Sequence, residues 1–291
     1  MLKKINKIFN FIYKYKNYKY LNFLLKSFNR KSFIFLVFKE YLKTFLNKVK
    51  KKKKSLLITG TGGDKKKTFN ITSSIFIILS KIYRIKIIKY GSKSFTSSVG
   101  SISFLNYVKK KHKFELKILY SNKIFRNINI ISKIRKKINK KTIFNFLFPL
   151  INVTKSKYQV IGSNNMKFHR ILKYKKKNQI LFISGEDGMD EGTIYGYTKI
   201  TIFKKNINSF IINKKTILGK KKIKKVKKIN ESYNIFINMF SYYDVKKIVF
   251  FNLYIVMKYL KKNKNIFFLL KKTFRYNIFY NAKFFKKNSR K

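Results

Sequence analysis

Hydrophobic residues in this chain follow two patterns, and the change from one to the other divides the sequence. From Leu2 to about Lys50 they recur at mixed three- and four-residue spacing, which predicts amphipathic helices. The lysine run Lys48–Lys54 (KVKKKKK) then interrupts the pattern as a boundary or hinge. Beyond it, short continuous apolar runs end in polar loops that lead into helical segments. This organisation predicts a helical domain over residues 1–52 and an α/β domain over residues 53–291.

The apolar runs of the second region are typical of buried strands. They lie at the start of the stretch Ser55–Ser74 and at Ile85–Gly91, Tyr158–Gly162 and Ile180–Ser184. A helix is predicted from Ile71 to about Ile82. Because strand, polar loop and helix repeat in this order, we predict an α/β fold with a mainly parallel central sheet that binds ligands at the carboxyl ends of its strands.

The rest of the second region is predicted to be largely helical. Ile124–Asn139 has a helical pattern, whereas Thr142–Val153 contains the only proline, Pro149, and is predicted to turn between packed elements. The strand signal weakens beyond Ile194. Helices packed around the sheet are predicted for INESYNIFINMF from Ile229, for VKKIVFFNLYIVMKYL from Val245 and for the Phe-rich tail.

The stretch Ser55–Ser74 (SLLITGTGGDKKKTFNITSS) has the features of an anion site. Glycines allow positive φ and close approach of a ligand, and the polar residues after them include types that cap helices. Backbone N–H groups and the helix dipole would then point at one place, which suits a phosphate or pyrophosphate. The spacing fits neither GxxxxGK[ST] nor GxGxxG. The glycines are Gly60, Gly62 and Gly63, and the capping types are Asn70, Thr72 and Ser73.

Four of the nine acidic residues lie within six positions, directly after a predicted strand. They are Glu186, Asp187, Asp190 and Glu191. Mg²⁺ takes one or two such oxygen ligands from a protein and completes its octahedron with waters and substrate phosphates. The other interpretation is an acidic turn that neutralises nearby lysines. The two histidines, His112 and His169, have no carboxylate or serine partner at a telling distance and are predicted to be exposed.

The composition is strongly basic, with 72 Lys and Arg against 9 Asp and Glu and a net charge of +63. The lysines are spread along the chain together with Phe, Tyr, Ile and Asn, which indicates AT-rich codon usage rather than a specific nucleic-acid partner. Without cysteine, neither a disulfide nor a thiolate metal site forms. No uncharged apolar run reaches the roughly 18 residues that span a bilayer, and the basic N-terminus lacks a signal-peptide core. We therefore expect a cytoplasmic protein without membrane contact.

Several of these motifs together resemble the anthranilate phosphoribosyltransferase family. GTGGDKKKTFNITS, from Gly60 to Ser73, is similar to the family's GTGGD signature and its TFN continuation. KYGSKSFTSSVGS, from Lys89 to Ser101, resembles KHGNRSVSSKSGS. RKKINKKTIFNFLFPLIN, from Arg135 to Asn152, resembles RKxLGIRTIFNLLGPLTN, and the acidic cluster matches EDGxDE. Tyr90, Ser92 and Lys93 stand where the family has histidine, asparagine and arginine.

The resemblance implies a set of site residues. Phosphoribosyl pyrophosphate would be bound by Gly60, Gly62, Gly63, Asp64, Thr68, Asn70, Ile71, Thr72, Ser73, Lys89, Gly91, Ser97 and Ser101. Anthranilate would be bound by Gly60, Ser92 and Arg135, the last facing its carboxylate. Mg²⁺ would be held by Thr72, Asp190 and Glu191. No residue is implied as a chemical catalyst, because positioning and charge neutralisation carry the reaction.

The resemblance also implies an architecture and a reaction. The family has a small N-terminal helical domain, joined by a later helical excursion at about residues 124–150, that is hinged to a larger α/β domain; it commonly forms a homodimer. The implied reaction transfers the 5-phosphoribosyl group to anthranilate in tryptophan biosynthesis. Three alternatives remain: a pyrimidine nucleoside phosphorylase, a basic RNA-binding protein, and an inactive homologue that has lost residues near the acceptor.

Overall fold

A computed structural model describes residues 46, 49–50, 52, 54–61, 68–83, 85–91, 99–112, 114–125, 143–163, 179–204, 207–212 and 225–261. Nearly all of the predicted N-terminal helical domain lies outside these ranges, as do residues 126–142 and the Phe-rich tail. The fold described below is therefore that of the α/β region.

The described part of the chain contains a sheet of seven strands in the order β3-β2-β1-β4-β5-β6-β7. The first five in this order are parallel, and β6 and β7 continue the sheet antiparallel at one edge. The central strands are buried because helices cover both faces, which explains their continuous apolar sequences. The strands are β1 (Leu56–Gly60), β2 (Ile87–Gly91), β3 (Leu116–Tyr120), β4 (Tyr158–Gly162), β5 (Gln179–Gly185), β6 (Thr198–Phe203) and β7 (Ile207–Ile212).

The helices of the described residues pack around this sheet. α1 and α6 contact each other, and α2 contacts α5. Both α1 and α6 bury long apolar runs, which form much of the hydrophobic core. The helices are α1 (Ile71–Tyr83), α2 (Ser101–Lys111), α3 (Ser121–Ile124), α4 (Ile143–Leu150), α5 (Ile229–Ile237) and α6 (Tyr243–Tyr259), with a 3₁₀ turn at Met239–Ser241 between α5 and α6.

Within the segment predicted to turn, Thr142–Val153, residues Ile143–Leu150 form the helix α4, with Pro149 next to its last residue. The helix forms because a proline so close to the end interrupts few backbone hydrogen bonds, and because Leu147 and Leu150 are fully buried. The Pro149 carbonyl accepts hydrogen bonds from Thr59 Oγ1 at 3.1 Å and from Gln159 Nε2 at 2.6 Å. α4 is thereby tied to β1 and β4.

His112 differs from the exposed position that the sequence predicted. It follows α2 and is half-buried, and its Nε2 shares a hydrogen bond of 2.8 Å with the Tyr233 hydroxyl of α5. The two rings are stacked with centroids 5.9 Å apart. His112 therefore helps to join α2 to α5, while His169 lies outside the described residues.

Candidate functional site

The site is built at the carboxyl edge of the parallel strands, as the sequence predicted. Gly60 ends β1 and pairs in register with Gly162, the last residue of β4. The backbone N–H of Thr61 donates to the Gly162 carbonyl at 3.0 Å, so the chain leaves both strands side by side. The glycine loop that follows Thr61 therefore begins next to the end of β4.

The polar segment after the loop leads into α1, as predicted. Asn70 occupies the capping position, because its carbonyl accepts the N–H of Ser74 at 2.9 Å. Its side chain contacts a different element, since Asn70 Nδ2 lies 3.1 Å from Ser232 Oγ of α5. Ile71 is fully buried in the core, and its backbone N–H donates to the Phe69 carbonyl at 2.8 Å. Ser73 is 3% exposed, and among the described residues its hydroxyl has no hydrogen-bond partner.

The acidic loop after β5 carries four carboxylates, and the first two of them accept hydrogen bonds from the residues that follow in the chain. Glu186 Oε2 accepts the N–H of Tyr197 at 2.9 Å. Asp187 accepts the hydroxyl of Thr193 at 2.8 Å and the N–H of Met189 at 3.2 Å. These two carboxylates therefore hold the turn through backbone and hydroxyl donors, whereas the structural interpretation had lysines as their partners.

The other two carboxylates face the start of α1. Thr72 Oγ1 donates to Glu191 Oε1 at 2.6 Å, and a small pocket is lined by Thr72, Asp190 and Glu191 together with apolar residues of α1, β4 and β5. The acidic loop can lie this close to the end of β4 only because residue 162 is a glycine. A Cβ at that position would lie 2.0 Å from the Asp190 carbonyl oxygen. A side chain on Gly162 would push the acidic loop away from the strand ends.

Lys89 of β2 is the buried cation of the site, at 8% exposure. Burial lowers the pKa of its ammonium group, and the negative charges of Asp190 and Glu191 oppose that shift. The charges of the two carboxylates act on Lys89 from a distance, and a buried lysine within their range can also interact with an anionic group, because charges are weakly screened there. Three motifs that are far apart in sequence therefore meet at one edge of the sheet.

The remaining predicted residues fall into two groups. Gly91 ends β2, and Ser101 begins α2 behind the extended residue Gly100, so both lie at the same edge of the sheet as Lys89. Thr68 is half-buried just before α1. The predicted residues outside the described ranges are Gly62, Gly63, Asp64, Ser92, Ser97 and Arg135. Their roles stay predictions.

Asn252 of α6 is a site residue that the sequence interpretation missed. It is 1% exposed and lines the same pocket as Glu191. Its amide accepts the N–H of Gly192 at 2.7 Å and donates to the Gly192 carbonyl at 2.8 Å. A signal was available, because Asn252 is a lone amide within the otherwise apolar run VFFNLYIVM.

The residues present fit Mg²⁺ bound together with a phosphate ligand. No cluster of three or more His, Cys, Asp or Glu side chains occurs in the described ranges, so an all-protein cage is not found there. Asp190, Glu191 and Thr72 line one pocket instead, and the next residue of α1, Ser73, has a buried hydroxyl without a partner in the described structure. Mg²⁺ usually takes a few oxygens from the protein and the others from water and substrate phosphates.

Comparison with known proteins gives a family match. A model described as "Glycosyl transferase family, a/b domain" matches residues 52–241. The anthranilate phosphoribosyltransferase of Staphylococcus haemolyticus is 32% identical over 178 residues, covering 55% of this chain and 52% of the relative. That of Methanococcus maripaludis is 30% identical over 200 residues, covering 62% and 61%. The chain thus spans about half the length of the curated relatives it matches.

Solved structures agree on the fold. Anthranilate phosphoribosyltransferase from Saccharomyces cerevisiae, in complex with PRPP and Mg, superposes with a TM-score of 0.64 at 19% identity, covering 86% of this chain and 78% of that one. The enzyme from Thermus thermophilus gives 0.61 at 14% identity, covering 81% and 77%. The predicted α/β fold with a mainly parallel sheet is confirmed.

In the part of the chain that the structure describes, no helix combines the length and apolar character needed to cross a membrane.

Proposed function

We propose that this chain, which belongs to the glycosyl transferase family by the match of its residues 52–241 to the family's a/b domain, is an anthranilate phosphoribosyltransferase. The reaction transfers the 5-phosphoribosyl group of phosphoribosyl pyrophosphate to anthranilate and gives N-(5-phosphoribosyl)anthranilate and pyrophosphate, a step of tryptophan biosynthesis. Relatives of that name in other organisms support this choice of substrates.

The observation that carries the proposal is the hydrogen bond between Thr72 and Glu191 at the carboxyl edge of the sheet, with the buried Lys89 within range of the charge of Glu191. A pyrophosphate needs hydrogen-bond donors and positive charge, and its Mg²⁺ needs hard oxygen ligands. Thr72 and Glu191 supply such oxygens, and Lys89 supplies a buried cation. The buried hydroxyl of Ser73 adds a donor that has no partner among the described residues.

The chemistry asks for little from the protein. The amine nitrogen of anthranilate forms a bond to C1 of the ribose, the bond from C1 to the pyrophosphate oxygen breaks with its electron pair, and the nitrogen releases a proton. Charge therefore develops on the ribose ring and on the leaving pyrophosphate. Mg²⁺, when bound, neutralises charge on the leaving group. Lys89 stabilises the same charge from a fixed position, which costs no reorganisation during the reaction.

We assign the remaining roles as follows. The backbone of Gly60, Gly62 and Gly63 with Asp64 cradles the pyrophosphate, and Thr72, Asp190 and Glu191 hold Mg²⁺. Arg135 and Ser92 contact anthranilate. The other residues of the phosphoribosyl pyrophosphate site are Thr68, Asn70, Ile71, Ser73, Lys89, Gly91, Ser97 and Ser101.

The wider organisation is also part of the proposal. Residues 1–52 would form a helical domain with the segment at about 124–150 packed on it, and residues 53–291 would form the α/β domain. We further propose a homodimer that works in the cytoplasm. The family match over residues 52–241 supports the α/β domain of this organisation.

The experiment that tests the proposal follows the fluorescence of anthranilate in the presence of purified protein, phosphoribosyl pyrophosphate and Mg²⁺. We expect a loss of fluorescence that requires all three additions and is abolished in the double variant D190N/E191Q. An absence of turnover, with phosphoribosyl pyrophosphate still bound, would contradict the transferase and support an inactive homologue. Phosphorolysis of thymidine under the same conditions would instead support the nucleoside phosphorylase.

A further inference from the structure

Asn252 contacts both backbone groups of one residue of the acidic loop, Gly192. Its side-chain oxygen accepts the Gly192 N–H at 2.7 Å, and its side-chain nitrogen donates to the Gly192 carbonyl at 2.8 Å and to the Ile248 carbonyl at 2.9 Å. The buried loop residue Gly192 has no strand ladder to satisfy its backbone groups. The side-chain amide of Asn252, on α6, makes the two hydrogen bonds that a neighbouring strand would otherwise make to Gly192.

The residue types at both ends of this contact are restricted. Among neutral side chains, only Asn and Gln offer a donor and an acceptor on one rigid group that can pair with both backbone atoms. Gly192 must lack a side chain, because a Cβ there would lie 2.9 Å from Phe251 Cε1 and 3.0 Å from Asn252 Oδ1. The contact therefore depends on a matched pair, an amide on α6 and a glycine in the loop.

Gly192 directly follows Glu191, whose carboxylate meets Thr72. The two peptide groups that Asn252 contacts lie on either side of Gly192, and the first of them joins Gly192 to Glu191. We propose that Asn252 is a positioning residue: by clamping Gly192, it fixes the backbone from which Glu191 reaches Thr72 and the Mg²⁺ bound with phosphoribosyl pyrophosphate. This inference rests on the proposed function. Groups that orient the ligands of a metal change its affinity by about 10–100-fold when they are removed.

The test uses the full chain and Mn²⁺ as a spectroscopic probe, titrated in the presence of phosphoribosyl pyrophosphate and without anthranilate. Free Mn²⁺ is measured by electron paramagnetic resonance, so the result does not depend on turnover. The variant N252L removes all three hydrogen bonds at nearly constant volume. The variant N252S is a milder change, because a serine hydroxyl still reaches the helix carbonyl four residues back but not Gly192.

A matched control lies on the same helix. Tyr259 is also buried, and its hydroxyl contacts the Gln159 backbone, 3.3 Å from the nitrogen and 3.4 Å from the carbonyl oxygen. The variant Y259F therefore removes a hydrogen bond between α6 and the sheet without touching the acidic loop. Thermal denaturation of each variant establishes whether it folds, and hydrogen exchange of residues 189–193 reports on the loop.

We expect Mn²⁺ affinity to fall by about 10–100-fold in N252L and N252S and to stay near the wild-type value in Y259F. Faster exchange of the loop amides should accompany the loss. Should N252L fail to fold, N252S decides. Equal Mn²⁺ affinity in wild type and in the folded Asn252 variant, or an equal loss in Y259F, would overturn the positioning role and leave the proposed function standing. A wild type that binds no Mn²⁺ with phosphoribosyl pyrophosphate would overturn both.

Discussion

Thr72 Oγ1 donates a hydrogen bond of 2.6 Å to Glu191 Oε1, although the two residues are 119 positions apart. The bond joins the first turn of α1 to the loop that follows β5. A hydrogen bond to a carboxylate is roughly twice as strong as one between neutral groups, so this contact holds one oxygen of Glu191 in place. It thereby connects the segment after the glycine loop to the acidic cluster.

Replacing Thr72 by valine keeps the shape of the side chain and removes the hydroxyl. We expect T72V to lose about 10–100-fold in kcat/KM, because it removes the hydroxyl that we propose to hold Mg²⁺ together with Glu191. The melting temperature should stay close to that of wild type. Steady-state kinetics and thermal denaturation provide the two measurements.

The control for T72V is T72S, which restores the hydroxyl without the methyl group. Its kcat/KM should lie much closer to wild type than that of T72V. Equal losses in T72V and T72S, or unchanged turnover in T72V, would contradict the role of the hydroxyl.

Asp187 is hydrogen-bonded within the acidic loop, whereas Asp190 lines the pocket with Thr72. We therefore expect substitution of Asp187 to affect stability and substitution of Asp190 to affect ligand binding. D187N weakens the hydrogen bonds from Thr193 and Met189, so we expect the free energy of unfolding to fall by about 1–3 kcal/mol. D190N should leave that free energy nearly unchanged and should weaken binding of Mg²⁺ with phosphoribosyl pyrophosphate. Urea denaturation and calorimetric titration of both variants test this. A binding defect in D187N as large as that in D190N, at matched stability, would show that the two carboxylates are not divided in this way.

The location of the site could be predicted from sequence because it depends on local features. The apolar runs before Gly60 and before Glu186 indicate parallel strands, and polar residues directly after such strands must lie at one edge of the sheet. The edge at which the chain leaves β1 and β5 follows from that rule, whereas Thr72 lies in α1 and Lys89 within β2. The resemblance added the identity of the ligand, which spacing and composition do not provide.

Three features could not be predicted, each for a physical reason. Asn252 contacts a residue 60 positions away, and no local pattern indicates which loop it meets. Asp187 accepts a hydrogen bond from Thr193 Oγ1 and Asp190 lines the pocket with Thr72, a difference that their similar sequence surroundings do not show. The strand β7 (Ile207–Ile212) is exposed along nearly its whole length, so its sequence lacks the alternation that marks a half-buried strand.

The close approach of Gly162 to Asp190 predicts a site that tolerates no side chain. In G162A the new Cβ would lie 2.0 Å from the Asp190 carbonyl oxygen, so the loop must move. We expect the free energy of unfolding to fall by about 1–3 kcal/mol. The free energy of binding of Mg²⁺ with phosphoribosyl pyrophosphate should weaken by more than this amount. The control is G91A, also at a strand end, where the nearest atom would be Ile102 Cδ1 at an ordinary 3.6 Å. A melting temperature for G162A equal to that of G91A would contradict the packing argument.

His112 gives the protein a pH-dependent stability. Burial lowers the pKa of His112 below its usual 6.5, and the charges of Lys81 and Lys111 lower it further. The unfolded chain therefore binds a proton more readily than the folded one, so the free energy of unfolding falls as the pH drops below about 6.5 and continues to fall until the folded-state pKa is passed. Above pH 6.5 this contribution is fully present. At low pH the imidazolium also loses its ability to accept a hydrogen bond from Tyr233.

Urea denaturation at pH 5 and pH 7.5 should show a smaller difference for H112Q than for wild type, because glutamine keeps a polar contact with Tyr233 but does not titrate. The same difference in both proteins would assign the pH dependence to other groups.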